Sequence, residues 1–373
     1  MKSPYLLTPG PLTTSDTVKQ AMLRDWGSRD TAFIAMNRDL RERLVALANA
    51  EQTHVCVPLQ GSGTFAIEAT IATLLPRDGK LLVLVNGAYG KRMVQIARVM
   101  GRAVEALEWR EDQPVDPEAL DQRLAGDKGI THVAVVHCET TSGILNPMED
   151  VAEVAAVHHT PLIIDAMSAF GALPLDARET PFAAVVASSN KCLQGVPGMG
   201  FALIRRDVLE HCKGNSHSLS LDLFDQWEGF EKNGQWRFTP PTQVIAAFLL
   251  ALDEHAAEGG VAGRGARYAR NHEVLVDGME TLGFRCLLAR EDQAPIIVTF
   301  HMPADPHFNF GDFYERLSAK GFLIYPGKLT VADSFRIGCI GDLGETEMRA
   351  ALGAITSVLD EMDVHNCAPA LTA

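Results

Sequence analysis

From about residue 16 to residue 205, apolar runs of strand length alternate with segments of helical spacing. The runs "KLLVLV" ending at Val85, "THVAVVH" ending at His137, "TPLIID" ending at Asp165 and "FAAVVAS" ending at Ser188 are nearly unbroken. A strand covered on both faces needs such continuity, whereas a strand with one wet face alternates. Between the runs, "GTFAIEATIATLL" and "MEDVAEVAAVHH" carry helical spacing. The alternation predicts an α/β fold built on a mostly parallel sheet. Ligands of such sheets sit beyond the carboxyl ends of the strands. His137, Asp165 and the elbow carrying Lys191 all fall there.

The pattern dissolves over residues 206–240 into polar and aromatic sequence, including "NSHSLSLDL" and "NGQWRFTPPT". One long helical region is expected from about Gln243 to Met279. The strand-like "APIIVTF" and "FRIGCIG" then alternate with helices, as in a smaller α+β domain. The expected organisation is an extended arm over residues 1–15, a large domain over 16–250 and a small domain over 251–373. A length of 373 residues fits two domains of roughly 150 residues or more.

Charge narrows the partners. With 33 basic against 47 acidic residues the net charge is −14, which argues against nucleic acid. An anionic substrate must then be drawn in by a few locally placed arginines. The seven cysteines are scattered without C-x-x-C spacing, so neither a disulfide framework nor a zinc site is expected. No apolar run approaches the roughly 20 residues of a membrane span, and Pro4, Pro9 and Pro11 break the N-terminal stretch. A cytoplasmic protein without membrane or metal partners is expected.

Three features point to chemistry. In "LQGSGTFAIEA", Gly61, Ser62, Gly63 and Thr64 precede a helical pattern, which suits either a phosphate cradle or a plain helix cap. Asp165 ends a strand, as a loop-ordering or a catalytic carboxylate would. In "AAVVASSNKCLQGVPGMGFALI", Lys191 occupies a polar elbow between two apolar strands with Gly195, Gly198 and Gly200 behind it. A surface lysine needs no such setting. A desolvated amine that must attack an electrophile does. A lysine, a strand-end carboxylate and a phosphate cup on this scaffold are what pyridoxal phosphate requires.

The segments "TPGPLTTSDTVKQAMLRDWGSRD", "GSGT", "NGAYGKR", "HCETTSGILNP", "IIDAMSAFG", "SSNKCLQGVPGMGF" and "FRIGCIGD" together resemble the class V aminotransferases of fold type I. Within that family they resemble the branch that moves an amino group from 2-aminoethylphosphonate to pyruvate. The resemblance implies a large domain with a seven-stranded, mostly parallel sheet, and a smaller C-terminal domain. It implies pyridoxal phosphate as cofactor and makes Lys191 the lysine that bonds it. Asp165 becomes the partner of the ring nitrogen, and Ser62, Gly63 and Thr64 the phosphate cup.

The same resemblance places Tyr89 over the ring face, where many relatives carry Trp. Thr141, with Thr140 as an equal candidate, falls near the ring hydroxyl. Thr239 matches a residue given to the partner subunit's cofactor phosphate, implying a homodimer with shared sites. Arg336 matches the arginine that grips the substrate carboxylate; its ordinary alternative is pairing with Asp333. Thr13, Thr14 and Arg29 are further candidates for the phosphonate. His137 and Cys192 read as structural. The nearest alternative is a transaminase using alanine or serine with glyoxylate. Cysteine desulfuration would need a reactive cysteine on a loop, which Cys339 does not offer. A non-covalent dinucleotide module would leave Lys191 unexplained, and no G-x-G-x-x-G follows the first strand.

Overall fold

The computed structural model describes residues 3–329 and 332–370. The outermost residues of the expected arm and small domain lie outside that range. Seven strands form the central sheet: β1 (His54–Gln60), β2 (Lys80–Val85), β3 (Ala103–Glu108), β4 (Ile130–Val136), β5 (Leu162–Asp165), β6 (Ala184–Ser188) and β7 (Met199–Arg205). Their order is β1-β7-β6-β5-β4-β2-β3. β7 runs antiparallel to both neighbours, and every other pairing is parallel.

The sheet is covered on both faces, which is why its strands read as continuous apolar runs. Along β2, Leu82 and Leu84 enter one core with Leu40 and Leu44 of α1 (Thr31–Ala46). Leu81, Val83 and Val85 enter the opposite core with Ile67 and Ile71 of α2 (Gly63–Leu74) and Met93 of α3 (Ala88–Val99). A slip of one residue would exchange the two sets, so the register is firmly held. β1 and β3 carry weaker sequence signals because they are the sheet edges. Pro58 interrupts the first, where an unpaired side tolerates it, and the second is only half-buried.

The expected long helical region consists of two helices, α4 (Thr242–Ala257) and α5 (Gly260–Thr281). Between them Gly259 and Gly260 take positive φ values of 102° and 66°, which breaks the helical path. The expected boundary at residue 250 falls inside α4, whose Ile245, Phe248 and Leu252 are packed in the large core. α5 links the two domains. Tyr268 is buried with the large core, whereas Leu275, Val276 and Met279 are buried in the small one.

The small domain carries an antiparallel sheet of β8 (Ile297–His301), β9 (Tyr325–Pro326) and β10 (Ser334–Gly338), in the order β8-β10-β9. Phe335 of β10 packs against Phe284 and Phe300 with ring centres 5.7 Å away from each. The arm belongs to this domain before it reaches the large one. Tyr5 and Leu6 pair in parallel with Phe322 and Leu323, and the Gly338 amide donates to the Leu7 carbonyl at 2.9 Å. A Cβ on Gly338 would stand 2.5 Å from the Thr8 oxygen, so only glycine lets the arm cross β10 here. Among the described residues, no helix is long and apolar enough to cross a membrane.

Candidate active site

The carboxyl ends of β2, β4, β5 and β6 open on one side of the sheet, and the chain that follows them builds a cavity of about 480 Å³. Ser62, Gly63, Thr64, Tyr89, Asp165 and Lys191 all line it, together with Arg92, Met167, Ser188 and Asn190. Residues far apart in sequence therefore meet as the pattern of strand ends requires.

One wall is the start of α2. Ser62 sits at the N-cap in extended backbone (φ −81°, ψ 167°) but makes no side-chain capping bond. The Phe65 amide donates to the Ser62 carbonyl at 3.0 Å, which leaves the Ser62 hydroxyl and the Gly63 and Thr64 amides at the positive end of the helix dipole for a ligand. Gly61 has φ of 128°, and a Cβ on Gly63 would stand 2.4 Å from the Met167 sulfur. The tight packing explains both glycines. The Arg92 guanidinium donates to Thr64 Oγ1 at 3.2 Å and brings a positive charge to the same spot.

The floor holds Lys191. Its elbow is braced by the Ser189 hydroxyl, which donates to the Val196 carbonyl at 2.6 Å, and by the Gly195 amide, which donates to the Ser189 carbonyl at 2.8 Å. Lys191 Nζ donates to the Pro9 carbonyl of the arm at 2.6 Å. Burial pulls its pKa below the usual lysine value, against the opposing pull of Tyr89, Cys192 and Asp165. A larger neutral fraction follows, and only the neutral amine is a nucleophile or base.

Asp165 faces the same space. One oxygen accepts from the Met167 amide at 3.0 Å, and no ion pair holds the carboxylate among the described residues. Burial pushes its pKa up to about 6, with the Met167 amide, Lys191 and Arg92 acting against the rise. The buried Ser188 hydroxyl, which also lines the cavity, has no hydrogen-bond partner among the described residues. A buried carboxylate without a cation, a free hydroxyl, a desolvated amine and an anion-binding helix start fit a ligand with a protonated ring nitrogen, an aldehyde and a phosphate. Pyridoxal phosphate has all three.

Glu139, which drew no attention in the sequence beyond its place beside Thr141, braces this arrangement from behind. It is fully buried and accepts from the Tyr89 amide at 3.2 Å and the Thr141 amide at 3.1 Å. A Cβ on Gly87 would lie 2.3 Å from its carboxyl carbon, so the start of α3 is pressed onto it. Tyr89 and Arg92 then share one face of α3. That spacing of three on a helix brings Arg92, which the sequence did not single out, to the same face as Tyr89.

Three expected residues lie outside the cavity lining. The Thr141 hydroxyl donates to Glu139 at 2.5 Å and accepts from the Ala88 amide at 3.0 Å, which leaves it no free donor. Thr239 is exposed and lines shallow surface hollows with Phe238 and Trp236. Arg336 stands beside the cavity on β10, 5% exposed, donating to the Thr140 carbonyl at 2.7 Å and the Pro326 carbonyl at 3.1 Å. No carboxylate pairs with it among the described residues, so the alternative of an Asp333 pair is absent. Thr13 Oγ1 accepts from the Leu6 amide at 2.8 Å, ordering the arm. Arg29 lines the hollow beside Thr239. Burial pushes the Cys192 thiol up to about 12 and the His137 ring down to about 4, so neither is reactive near neutrality.

The chain belongs to the class V aminotransferases, a family of pyridoxal-phosphate enzymes: the family model "Aminotransferase class-V" matches residues 16–331. It is 55% identical over 362 residues to 2-aminoethylphosphonate–pyruvate transaminase 2 of Burkholderia lata, covering 97% of this chain and 96% of that protein. It is equally 55% identical to 2-aminoethylphosphonate–pyruvate transaminase of Pseudomonas putida, covering 97% and 98%. Among solved structures, alanine–glyoxylate aminotransferase from Nostoc matches with TM-score 0.90 at 24% identity, over 96% of each chain. Pyridoxamine–pyruvate aminotransferase from Mesorhizobium loti matches with TM-score 0.89 at 23% identity, over 97% of this chain and 93% of that one. At those identities the structures establish the fold and nothing finer.

The Asp165 carboxylate has a measurable consequence. Its folded pKa of about 6 lies above the ordinary aspartate value of 3.8, so the folded state holds the proton more tightly. Stability therefore falls as pH rises between these values, and at neutral pH the full cost is present. At about 1.4 kcal/mol per pKa unit that cost is roughly 3 kcal/mol in the cofactor-free protein. Asp165→Asn removes the charge, so the cofactor-free variant is expected to resist urea better than wild type at pH 8. The gap should close as pH falls below about 4. Equal midpoints at pH 8 would contradict the account of a costly buried carboxylate.

Proposed function

We propose that this chain transfers the amino group of 2-aminoethylphosphonate to pyruvate, giving phosphonoacetaldehyde and L-alanine, as a step in phosphonate catabolism. The observation that supports the reading is the 55% identity across 97% of the chain to transaminases bearing that name. The cavity is chemically compatible with it. In the same reading the active unit is a cytoplasmic homodimer, and exposed Thr239 serves the partner's site, which accounts for its place outside the lining of the Lys191 cavity.

Pyridoxal phosphate, when bound, supplies an electron sink that acidifies the carbon bearing the amino group and carries that group between the two substrates. Lys191 is the residue that would bond the aldehyde of that group, and its Nζ, when free, would take the proton from the amine-bearing carbon, a task suited to an amine whose pKa burial has lowered. Asp165 would hold the proton on the ring nitrogen, the α2 amides, Ser62, Thr64 and Arg92 would hold the phosphate, and Tyr89 would lie against the ring. Arg336 grips the acidic end of each substrate, with no carboxylate ion-paired to it among the described residues.

A donor-preference assay tests the reading. Alanine formation from 2-aminoethylphosphonate and pyruvate is expected to exceed serine–glyoxylate transamination by about a hundred-fold in kcat/KM. The reverse preference would assign the chain to the glyoxylate-using branch.

A further inference from the structure

The two substrates proposed above carry different charge at the end remote from the reacting nitrogen. A carboxylate carries one negative charge. A phosphonate, like a phosphate monoester, carries about 1.5 to 2 near neutral pH. One guanidinium matches the first and leaves the second partly uncompensated, so the site needs a further cation.

In a chain of net charge −14, two cations with no ion pair among the described residues lie against one ring, Tyr89, and Lys191 and Arg336 are near enough to feel its charge. The Lys328 ammonium stands 4.5 Å from the centre of the Tyr89 ring, and the Arg92 guanidinium 5.0 Å from it. Tyr89 also acts electrostatically on Lys191 and Arg336. Lys191 bonds the cofactor in the reading above, Arg92 is engaged with Thr64, and Arg336 grips the substrate acid. Lys328 alone has no task.

Its placement relative to Arg336 is fixed through the backbone. Arg336 Nε donates to the Pro326 carbonyl at 3.1 Å, two residues before Lys328. The Gly327 amide donates to the Ser334 carbonyl at 2.9 Å, and a Cβ on Gly327 would lie 2.3 Å from that oxygen. The base of the loop is therefore clamped to β10 while the Lys328 side chain stays exposed. A flexible four-carbon stem over an aromatic face moves toward a stronger anion at small cost.

We propose that Lys328 is the second cation for the donor's phosphonate, pairing with the charge that Arg336 leaves uncompensated and setting the preference for a phosphonate over a carboxylate donor. It rests on the donor assigned above. The test uses the holoenzyme with two unreactive probes, ethylphosphonate and propionate, titrated by calorimetry. In Lys328→Gln the ethylphosphonate Kd rises about ten-fold while the propionate Kd changes by less than about two-fold. Lys328→Arg restores the phosphonate affinity to within about three-fold of wild type. In single-turnover measurements, Lys328→Gln slows the 2-aminoethylphosphonate half-reaction about ten-fold and the pyruvate half-reaction by less than about three-fold. Equal change for both probes, or none, overturns the role of Lys328 while the donor stands. A wild-type enzyme that ignores both ethylphosphonate and 2-aminoethylphosphonate overturns the donor, and this role with it.

Discussion

Lys191→Ala is expected to lower turnover by about 10⁴-fold or more while leaving the fold in place. The size follows from two losses in one residue. The variant can no longer bond the cofactor, and it has no amine to move the proton. Stability changes little by comparison, because the amine lies in a site whose burial already disfavours its charge. The single bond lost is the one to the Pro9 carbonyl. Borohydride trapping with peptide mapping should find the cofactor on Lys191 in wild type and nowhere in the variant, at an unchanged melting temperature. Retained turnover, or a trapped cofactor on another lysine, would contradict the assignment.

The second large effect concerns Arg336. Two of its nitrogens are held by backbone carbonyls of Thr140 and Pro326, which fixes the plane of the guanidinium and leaves its remaining donors for a ligand. Charge-assisted hydrogen bonds contribute about 1.5–3 kcal/mol each, so losing two costs about 10²- to 10⁴-fold in kcat/KM. Arg336→Ala is expected to fall in that range with either substrate, chiefly through a raised KM. Arg336→Lys should recover little, since a point charge reproduces neither the fork nor the two carbonyl contacts. Truncation also strands the Thr140 and Pro326 carbonyls, so melting curves must accompany the kinetics. A variant that binds pyruvate normally would remove Arg336 from the substrate site.

Much of this was legible in the sequence, for identifiable reasons. Lys191 and Asp165 stand at the ends of continuous apolar runs, and a buried parallel strand is the easiest element to read. The edge strands β1 and β3 were faint because one carries Pro58 and the other is half-wet. The α4–α5 break escaped because both helices keep apolar spacing, and only the backbone angles of Gly259 and Gly260 separate them. Ser62 to Thr64 were readable as a loop before a helix, but Arg92 beside them was not, since its meaning depends on which way α3 turns. Thr141 is a different case. The motif directs attention to the hydroxyl, whereas folding engages it with Glu139 and the Ala88 amide. Lys328 lies in an exposed loop and gains significance only from its distance to Tyr89.

The measurement that tests the central claim most directly is a single half-reaction. The protein is loaded with pyridoxal phosphate, given 2-aminoethylphosphonate without any keto acid, and followed by the cofactor's visible absorption. The account predicts that the band is lost on adding the phosphonate and returns on adding pyruvate. A band unmoved by the phosphonate but lost with serine would contradict it, leaving the fold and cofactor in place and giving the substrate to the glyoxylate-using branch.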